Sequence, residues 1–231
     1  GRMPHGGRSG KPRWVKNMTD RPHVELLEKN KPRQARAKRT YESILNAAAE
    51  LLVEVGVERI STNLIAERAG ITVPALYRYF PNKYAVLHAL GAVLMDSQNG
   101  VFQRWFERNG QHADPQNLLD DIYQVLKDSY DVTLAQTGGA EIIQSLRAVA
   151  PLRELRLQSH RLVSTQFAEL VGELLERPVD EVLLMQARLT VDTGYAVVEM
   201  ALEDDTLSPE NTLRQGALMI GLNWANILQG P

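Results

Sequence analysis

The sequence predicts an all-α protein of about nine helices. Apolar residues recur at helical spacing over most of the chain. Capping residues, glycines and prolines divide this pattern into segments of helical length. No stretch alternates between apolar and polar residues for long enough to predict a strand, so the layers that pack together are helices.

The first predicted helix begins near Arg33 and ends at Gly56, because glycine readily adopts the positive φ of a helix C-terminus. Residues 1–32 contain four prolines among glycines and basic residues, which predicts a disordered arm. The apolar residues of the helix lie on one face, which predicts a buried side. They are Ile44, Ala48, Leu51, Leu52 and Val55.

Two short helices with a tight turn between them follow. Ser61 or Thr62 can cap the first, which ends at Gly70. Thr72 can cap the second, predicted over residues 73–80 and stopped by Pro81. Two helices of about seven residues joined in this way are typical of a helix-turn-helix.

The rest of the chain predicts six longer helices. Asn82 can cap the fourth, which ends near Arg108, and Asp114 with Pro115 opens the fifth, which closes at Gly138. The remaining four are predicted over residues 141–149, 151–176, 179–202 and 209–228.

Composition favours a soluble protein of two domains. The chain has 231 residues, no cysteine and no apolar run near the ~18 residues that a membrane span needs. Residues 1–84 hold 16 Lys and Arg against 8 Asp and Glu, whereas residues 85–231 hold 10 against 20. This asymmetry favours an N-terminal part that meets a polyanion, although a solvated basic tail without a partner is the alternative.

Residues 65–83 carry a spaced motif. Ile65-Ala66 precedes Gly70, and Leu76-Tyr77 is followed by Phe80 and then Lys83. With the preceding helix, this pattern resembles the tetracycline-repressor (TetR) family of bacterial regulators over about residues 34–98. Several spaced elements in the right local structure make the match specific.

The resemblance implies a cytoplasmic bacterial transcriptional regulator, by default a repressor. Residues 33–84 would form the DNA-binding domain, and residues 85–231 the domain for effector binding and dimerisation. It implies a homodimer on a DNA operator, a small-molecule effector, and neither a cofactor nor a membrane partner. Since one short helix supplies few base contacts, two copies on a pseudo-palindromic operator are expected.

Helix-turn-helix geometry brings the early residues of the second short helix to the base edges in the major groove. These residues are Thr72, Val73, Pro74 and Ala75, and the last three suit thymine methyl groups. Arg78 is the only long donor on this helix. It can read a guanine or hold a phosphate, and the sequence leaves both open.

The resemblance also implies contacts to the DNA backbone from Thr62, Tyr77, Tyr79 and Lys83, with Arg39 a looser candidate. Some of these residues have a plainer interpretation. Tyr79 can cover the small core, Lys83 can be a solvated lysine, and Thr62 can be only a helix cap.

In the C-terminal half the resemblance implies that the last two helices form a four-helix bundle with those of a second subunit. Small residues on these helices would allow close approach, with packing inside one subunit as the alternative. The candidate interface residues are Gly194, Ala196, Gly216, Ala217, Gly221 and Ala225.

An effector pocket is implied between the fourth and seventh helices, although each candidate can also be plain core. Effector binding would move the fourth helix and change the spacing of the two reading helices. The candidate pocket residues are Phe102, Trp105, Phe106, Tyr123, Tyr130, Gln144 and Phe167.

Two rival functions are weaker. An enzyme would need a nucleophile elbow, a phosphate loop or a metal site, but Gly10-Lys11 is followed by Pro12, and the five histidines lack ligand spacing with acids on one helix face. A helical adaptor that binds only proteins would not need the basic half or the groove-reading helix.

Overall fold

The computed structural model describes residues 35–109 and 117–229, and within these ranges it consists of nine α-helices and no strand. The prediction of an all-α fold is therefore confirmed. The arm of residues 1–32 and the predicted start of the fifth helix at Asp114 lie outside the described residues. The helices are α1 Ala35–Arg59, α2 Thr62–Ala69, α3 Val73–Tyr77, α4 Lys83–Asn109, α5 Leu118–Ala135, α6 Gly139–Ala148, α7 Arg153–Leu174, α8 Glu181–Glu203 and α9 Pro209–Gln229.

Helix α1 is interrupted at Gly56 but does not end there. Gly56 has φ 77°, a conformation that glycine adopts without steric cost. One further helical turn follows and ends at Arg59, and the amide of Ile60 donates to the carbonyl of Gly56 at 3.2 Å. The predicted end at Gly56 is therefore a kink, because the chain resumes helical angles directly after it.

The caps of α2 and α3 explain the tight turn between them. Ser61 Oγ accepts a hydrogen bond from the amide of Leu64 at 3.2 Å, so Ser61 rather than Thr62 is the cap of α2. Gly70 ends α2 with φ 68°, and Thr72 Oγ1 accepts from the amide of Ala75 at 3.3 Å.

Helix α3 is shorter than predicted. It ends at Tyr77, and the chain passes through a turn at residues 78–79 before Phe80. The prediction to residue 80 was wrong because Pro81 disfavours helical angles at the residue before it. Phe80 is nevertheless fully buried, and its ring stacks on Tyr41 with centroids 5.3 Å apart.

The first hydrophobic core joins α1 to α4 with α6. Leu76 and Phe80 are fully buried in it, as predicted, and α6 adds Ile142 and Leu146. Helix α6 comes so close to α4 that a Cβ added at Gly91 would lie 2.7 Å from Leu146 Cδ2. The first half of α4, which follows residue 84, is therefore packed against the helices that precede it.

Helix α4 links this core to the rest of the molecule. Asn82 caps it as predicted, with Oδ1 accepting from the amide of Ala85 at 2.9 Å. Its first half lies in the first core. Its second half presents Phe102 and Trp105 to α7, where they pack with Val163.

Helices α5, α7, α8 and α9 enclose a second core. At its centre Trp224 is buried, and its Nε1 donates to Thr190 Oγ1 at 2.7 Å. Asp180 caps α8 and Ser208 caps α9, with distances of 2.8 and 3.3 Å from the side-chain oxygens to the capped amides. Among the described helices, none has the length and apolar character that would let it cross a membrane.

Candidate nucleic-acid interface

Helix α3 lies on the surface with one face buried. Leu76 anchors it in the first core, whereas Thr72, Pro74 and Arg78 are exposed. Val73 and Ala75 are half-buried between these two faces. The residues predicted to approach the bases therefore surround the exposed N-terminal turn of one short helix.

Three predicted backbone contacts meet at the N-terminus of α2. Thr62 is the first residue of α2, and its Oγ1 lies 3.2 Å from the hydroxyl of Tyr77. Lys83 Nζ donates to the carbonyl of Ile60 at 3.1 Å, two residues before Thr62. The first turn of α2 contains no acidic residue. Unpaired amides, hydroxyls and an ammonium at one helix N-terminus form a suitable site for a phosphate.

The other two backbone candidates differ from each other. Tyr79 is half-buried and packs against the first core, which agrees with its plainer interpretation as a cover for that core. Arg39 is exposed near the start of α1, where Arg36 and Lys38 are also exposed. Arg36 and Lys38 were not among the predicted contacts, although the run of basic residues is visible in the sequence.

An ion-pair cluster, missed by sequence analysis, fixes α2 against α1. Arg68 on α2 contacts Glu54 at 2.6 Å and Glu50 at 3.1 Å. The hydrogen bond from Arg68 lowers the pKa of Glu54 and the two carboxylates raise that of Arg68. All three side chains are partly exposed, so we expect them to orient the helices more than to stabilise the fold.

Comparison with known proteins agrees with this geometry. The family described as "Bacterial regulatory proteins, tetR family" matches residues 44–90. The chain is 34% identical to the tetracycline repressor protein class C of Escherichia coli over 117 residues, 49% of this chain and 48% of that protein. It is 45% identical to the class A repressor from transposon 1721, over 48% of each chain. The N-terminal part of the chain is therefore similar in sequence to TetR-family regulators.

Solved structures extend the fold similarity beyond the N-terminal half. A putative TetR-family regulator from Syntrophomonas wolfei superposes with a TM-score of 0.64 at 14% identity, covering 82% of this chain and 96% of that one. One from Rhodococcus sp. gives 0.63 at 18% identity, covering 81% and 99%. The chain spans about half the length of the two tetracycline repressors described above.

The C-terminal half of the chain contains a cavity of about 110 Å³, bounded by α4, α5, α7, α8 and α9. Three predicted pocket residues line it, namely Phe102, Trp105 and Phe167. Gln98, one turn before Phe102, also lines it and was not predicted. It is a polar residue on the inner face of α4, which is the signal that sequence analysis could have used.

The other four predicted pocket residues are not part of the cavity wall. Gln144 is exposed, and its Nε2 donates to Glu203 at 3.2 Å. The ring of Tyr123 lies 4.4 Å from the Arg214 guanidinium carbon. The remaining two are Phe106 and Tyr130, which pack at the edges of the neighbouring cores.

The glycines of α8 and α9 face the interior of the subunit, which corrects their prediction as interface residues. A Cβ at Gly216 would lie 2.4 Å from Val197 Cγ1, and one at Gly221 would lie 2.1 Å from Leu119 Cδ2. Gly194 faces Leu126 in the same way, at 3.3 Å. These glycines permit close packing of α8 and α9 within one chain, the alternative that the sequence left open.

The three alanines predicted at the dimer interface differ in their exposure. Ala217 is buried beside Gly216, so it also belongs to the interior and its prediction as an interface residue was wrong. Ala196 is exposed, and Ala225 is half-buried.

The opposite faces of α8 and α9 are apolar and exposed. Met219 is 69% exposed and Leu189 is 60% exposed, values that are unusual for such side chains in a solvated surface. On α8 the large exposed apolar residues recur at spacings of three, four and eleven residues. The large exposed residues of the two faces, called here the outer stripe, are Val182, Met185, Leu189, Met200, Leu218, Met219 and Leu222.

A polar cluster lies beneath the cavity between α7 and α8. His160 is buried, its ring stacks on Tyr195 at 4.1 Å, and its Nδ1 hydrogen-bonds to Asp192. Burial lowers the pKa of His160, so the neutral imidazole donates to the carboxylate. Burial opposes ionisation of Asp192, but the hydrogen bonds from His160 and Arg188 outweigh it and lower its pKa to about 2.

Proposed function

We propose that the protein is a transcriptional repressor that binds a palindromic operator as a homodimer and is released by a small-molecule effector. The observation that carries the proposal is the group formed by Thr62, Tyr77 and Lys83 at the N-terminus of α2, beside the exposed start of α3. A phosphate held at this group would seat α3 in the major groove.

The exposed side of α3 supports the assignment of base contacts. Thr72, Val73, Pro74 and Ala75 meet the base edges, and the apolar ones contact thymine methyl groups. Arg78 follows them on the exposed side of the segment, where both guanine and phosphate are within the reach of a guanidinium. Arg39 adds a phosphate contact from the start of α1.

The outer stripe supports the homodimer. Exposed apolar residues on two adjacent, packed helices form a continuous surface that a second copy can cover with the same two helices. The two pairs of helices then form a four-helix bundle. In this arrangement the interface is made by Leu189, Met219 and their neighbours, together with Ala196 and the edge at Ala225, and the glycines support it from within.

The course of α4 supports release by an effector. Its first half is packed in the core that carries α3, and its second half lines the cavity. Because one helix takes part in both, a ligand that binds better to one orientation of α4 changes the separation of the two reading helices. Half-sites lie about 34–36 Å apart, so a small rotation disturbs their register. In this proposal residues 33–84 bind DNA, and residues 85–231 bind the effector and form the dimer.

Selection of bound duplexes from a random DNA library tests the proposal. We expect an enriched inverted repeat, bound with an affinity that falls steeply as salt rises, because phosphate contacts release counterions. Tyr77→Phe removes the hydroxyl that meets Thr62 and should weaken binding to all enriched sequences. Tyr123→Phe, a matched change on α5, should leave binding unchanged.

Two outcomes would contradict the proposal. An enriched sequence with a single asymmetric half-site would exclude a symmetric dimer on DNA. Enrichment of nothing, with no salt-dependent binding, would favour the helical adaptor instead.

A further inference from the structure

The cavity wall contains two buried polar atoms that have no hydrogen-bond partner within the described residues. They are Oε1 of Gln98 and Nε1 of Trp105. Gln98 is 2% exposed and Trp105 is 8% exposed, so bulk water does not reach them freely. The amide nitrogen of Gln98 donates to Thr133 Oγ1 at 2.9 Å, which fixes the side chain and leaves its oxygen as an acceptor.

These two atoms are exceptions to a strong rule. Most buried side-chain polar atoms in proteins are paired, and each unpaired one destabilises the folded state. Trp224, which packs against Phe167 of the cavity wall, follows the rule because its Nε1 donates to Thr190. The unpaired donor and acceptor on α4 therefore need a separate explanation.

Their spacing places both atoms on one wall. Gln98, Phe102 and Trp105 are separated by four and three residues, so they share one face of α4. Seven residues of helix span about 10 Å. The residues of this wall thus include, in sequence along the helix, one with an unpaired acceptor, one aromatic ring and one with an unpaired donor.

The rest of the wall determines which ligands fit. It is mostly apolar, and Asp121, which is half-buried, is the only charged side chain among the described residues that line it. An anionic ligand would lose its hydration without gaining a basic partner there. The volume of about 110 Å³ is somewhat smaller than the ~150 Å³ of an apolar cavity known to hold benzene.

We propose that the effector is a small, neutral, mostly apolar molecule with a hydrogen-bond acceptor such as a carbonyl oxygen at one end and a hydroxyl donor at the other. The acceptor binds Trp105 Nε1, the hydroxyl binds Gln98 Oε1, and the apolar body lies against Phe102 and Phe167. That this ligand acts as an effector rests on the proposed function. That the cavity binds such a ligand does not.

Calorimetry and thermal denaturation on the full-length protein test this assignment with two probes. 5-Hydroxy-2-pentanone is neutral, carries both polar groups and is close to benzene in size, and 4-hydroxybutanoate is its anionic counterpart. We expect the neutral probe to bind and to raise the thermal midpoint, and the anion to bind at least tenfold more weakly because its charge is unpaired in the cavity.

Variants identify the two contacts. Trp105→Phe keeps an aromatic ring but removes the donor, and Gln98→Leu removes the acceptor. Each should weaken binding of the neutral probe about fivefold to tenfold, as expected for one lost hydrogen bond. Without the probe, Trp105→Phe should not lower the thermal midpoint through a lost hydrogen bond, since its N–H has no protein partner.

Trp224→Phe is the matched control. It should lower the thermal midpoint, because it leaves Thr190 Oγ1 without its donor, but it should not change probe affinity by more than twofold. Equal binding of the two probes, no binding of the neutral probe, or full affinity in Trp105→Phe would each overturn the proposal. Operator release is measured separately, so a probe that binds without releasing DNA contradicts the repressor mechanism and not this site.

Discussion

The core around α3 and the helices of the C-terminal half are built differently. Within residues 35–95 the buried side chains are apolar, whereas every buried polar side chain of the described residues lies further along the chain. The C-terminal half also contains the cavity and the outer stripe. The buried polar residues are Gln98, Thr133, Ser145, Ser159, His160, Ser164 and Thr212.

This difference indicates that the two regions have different roles. A dry apolar core has few alternative packings, so it can hold α3 at a fixed angle to the DNA. Buried polar groups and a cavity give the C-terminal half interactions that a ligand, a proton or a second subunit can change. Helix α4 belongs to both regions and can carry such a change from one to the other.

The largest effect should come from a truncation in the first core. Phe80→Ala removes a fully buried ring that stacks on Tyr41, and we expect the free energy of unfolding to fall by about 3–5 kcal/mol. Urea denaturation followed by circular dichroism measures it. Val53→Ala, at a residue that is 54% exposed on α1, should change stability by less than about 0.5 kcal/mol. A loss below about 1 kcal/mol in Phe80→Ala would mean that this core is not tightly packed.

The next effect concerns the outer stripe. Leu189→Glu places a charge at the centre of the proposed dimer interface, and we expect dimerisation to weaken by about 2–3 kcal/mol, or roughly 100-fold. Sedimentation equilibrium measures the change. Leu162→Glu on α7, at a side chain that is 50% exposed outside the stripe, should leave the dimer intact. Equal dissociation in both variants, or in neither, would exclude the stripe as the interface.

Gly221 on α9 provides a second test of which face of the helix forms the dimer interface. Gly221→Leu would be a dimer-breaking change if Gly221 lay at the interface. Because a Cβ there would lie 2.1 Å from Leu119 Cδ2, we expect overpacking within the subunit instead, at a cost of about 1–3 kcal/mol. The free energy of unfolding of the isolated subunit should therefore fall, which is measured in the Leu189→Glu background.

A smaller effect should come from Arg78, whose two possible roles the sequence left open. Arg78→Ala should weaken operator binding by about 1–3 kcal/mol if Arg78 reads a guanine, with specificity lost at one base position. If it holds a phosphate, binding should weaken on all sequences and the salt slope should fall by about one. Arg153→Ala, an exposed arginine at the start of α7, is the control. An unchanged affinity in Arg78→Ala would remove Arg78 from the interface.

The sequence predicted most of the fold because its signals were local. Caps at Thr72, Asn82 and Ser208 are formed within three residues of the amides they accept from, so they are visible in the sequence. The same is true of the motif from Ile65 to Lys83. The kink at Gly56 and the short α3 were missed for a different reason. A glycine or a proline alone does not decide where a helix ends, because the residues around it determine whether the helix continues.

The candidate sites were harder to predict because they depend on distant contacts. Gly221 faces α5 rather than a second subunit because Leu119, about 100 residues earlier, occupies that side of α9. Gln144 lies outside the cavity wall because its side chain hydrogen-bonds to Glu203 at the surface. Periodicity tells which residues share a face of a helix, but not which neighbouring element covers that face.

The smallest effect should come from the buried imidazole of His160, and it tests whether the C-terminal half alone responds to pH. Its pKa is lowered by burial, so as pH falls through about 6.5 the unfolded chain binds a proton that the folded chain does not. Stability contributed by neutral His160 is present above that pH and is lost below it, by at most about 1.4 kcal/mol per pH unit. Asp192, with a pKa of about 2, stays ionised throughout this range.

His160→Phe separates this contribution from that of other histidines, since it keeps a ring on Tyr195 but cannot titrate. Unfolding free energies between pH 5 and pH 7.5 should fall less steeply in the variant than in the unmodified protein. If the unmodified protein instead loses less stability than the variant as pH falls, His160 is protonated in the folded state, and its ion pair with Asp192, rather than its burial, controls its charge. The polar cluster would then be a permanent ion pair, and the C-terminal half would respond to ligands but not to protons.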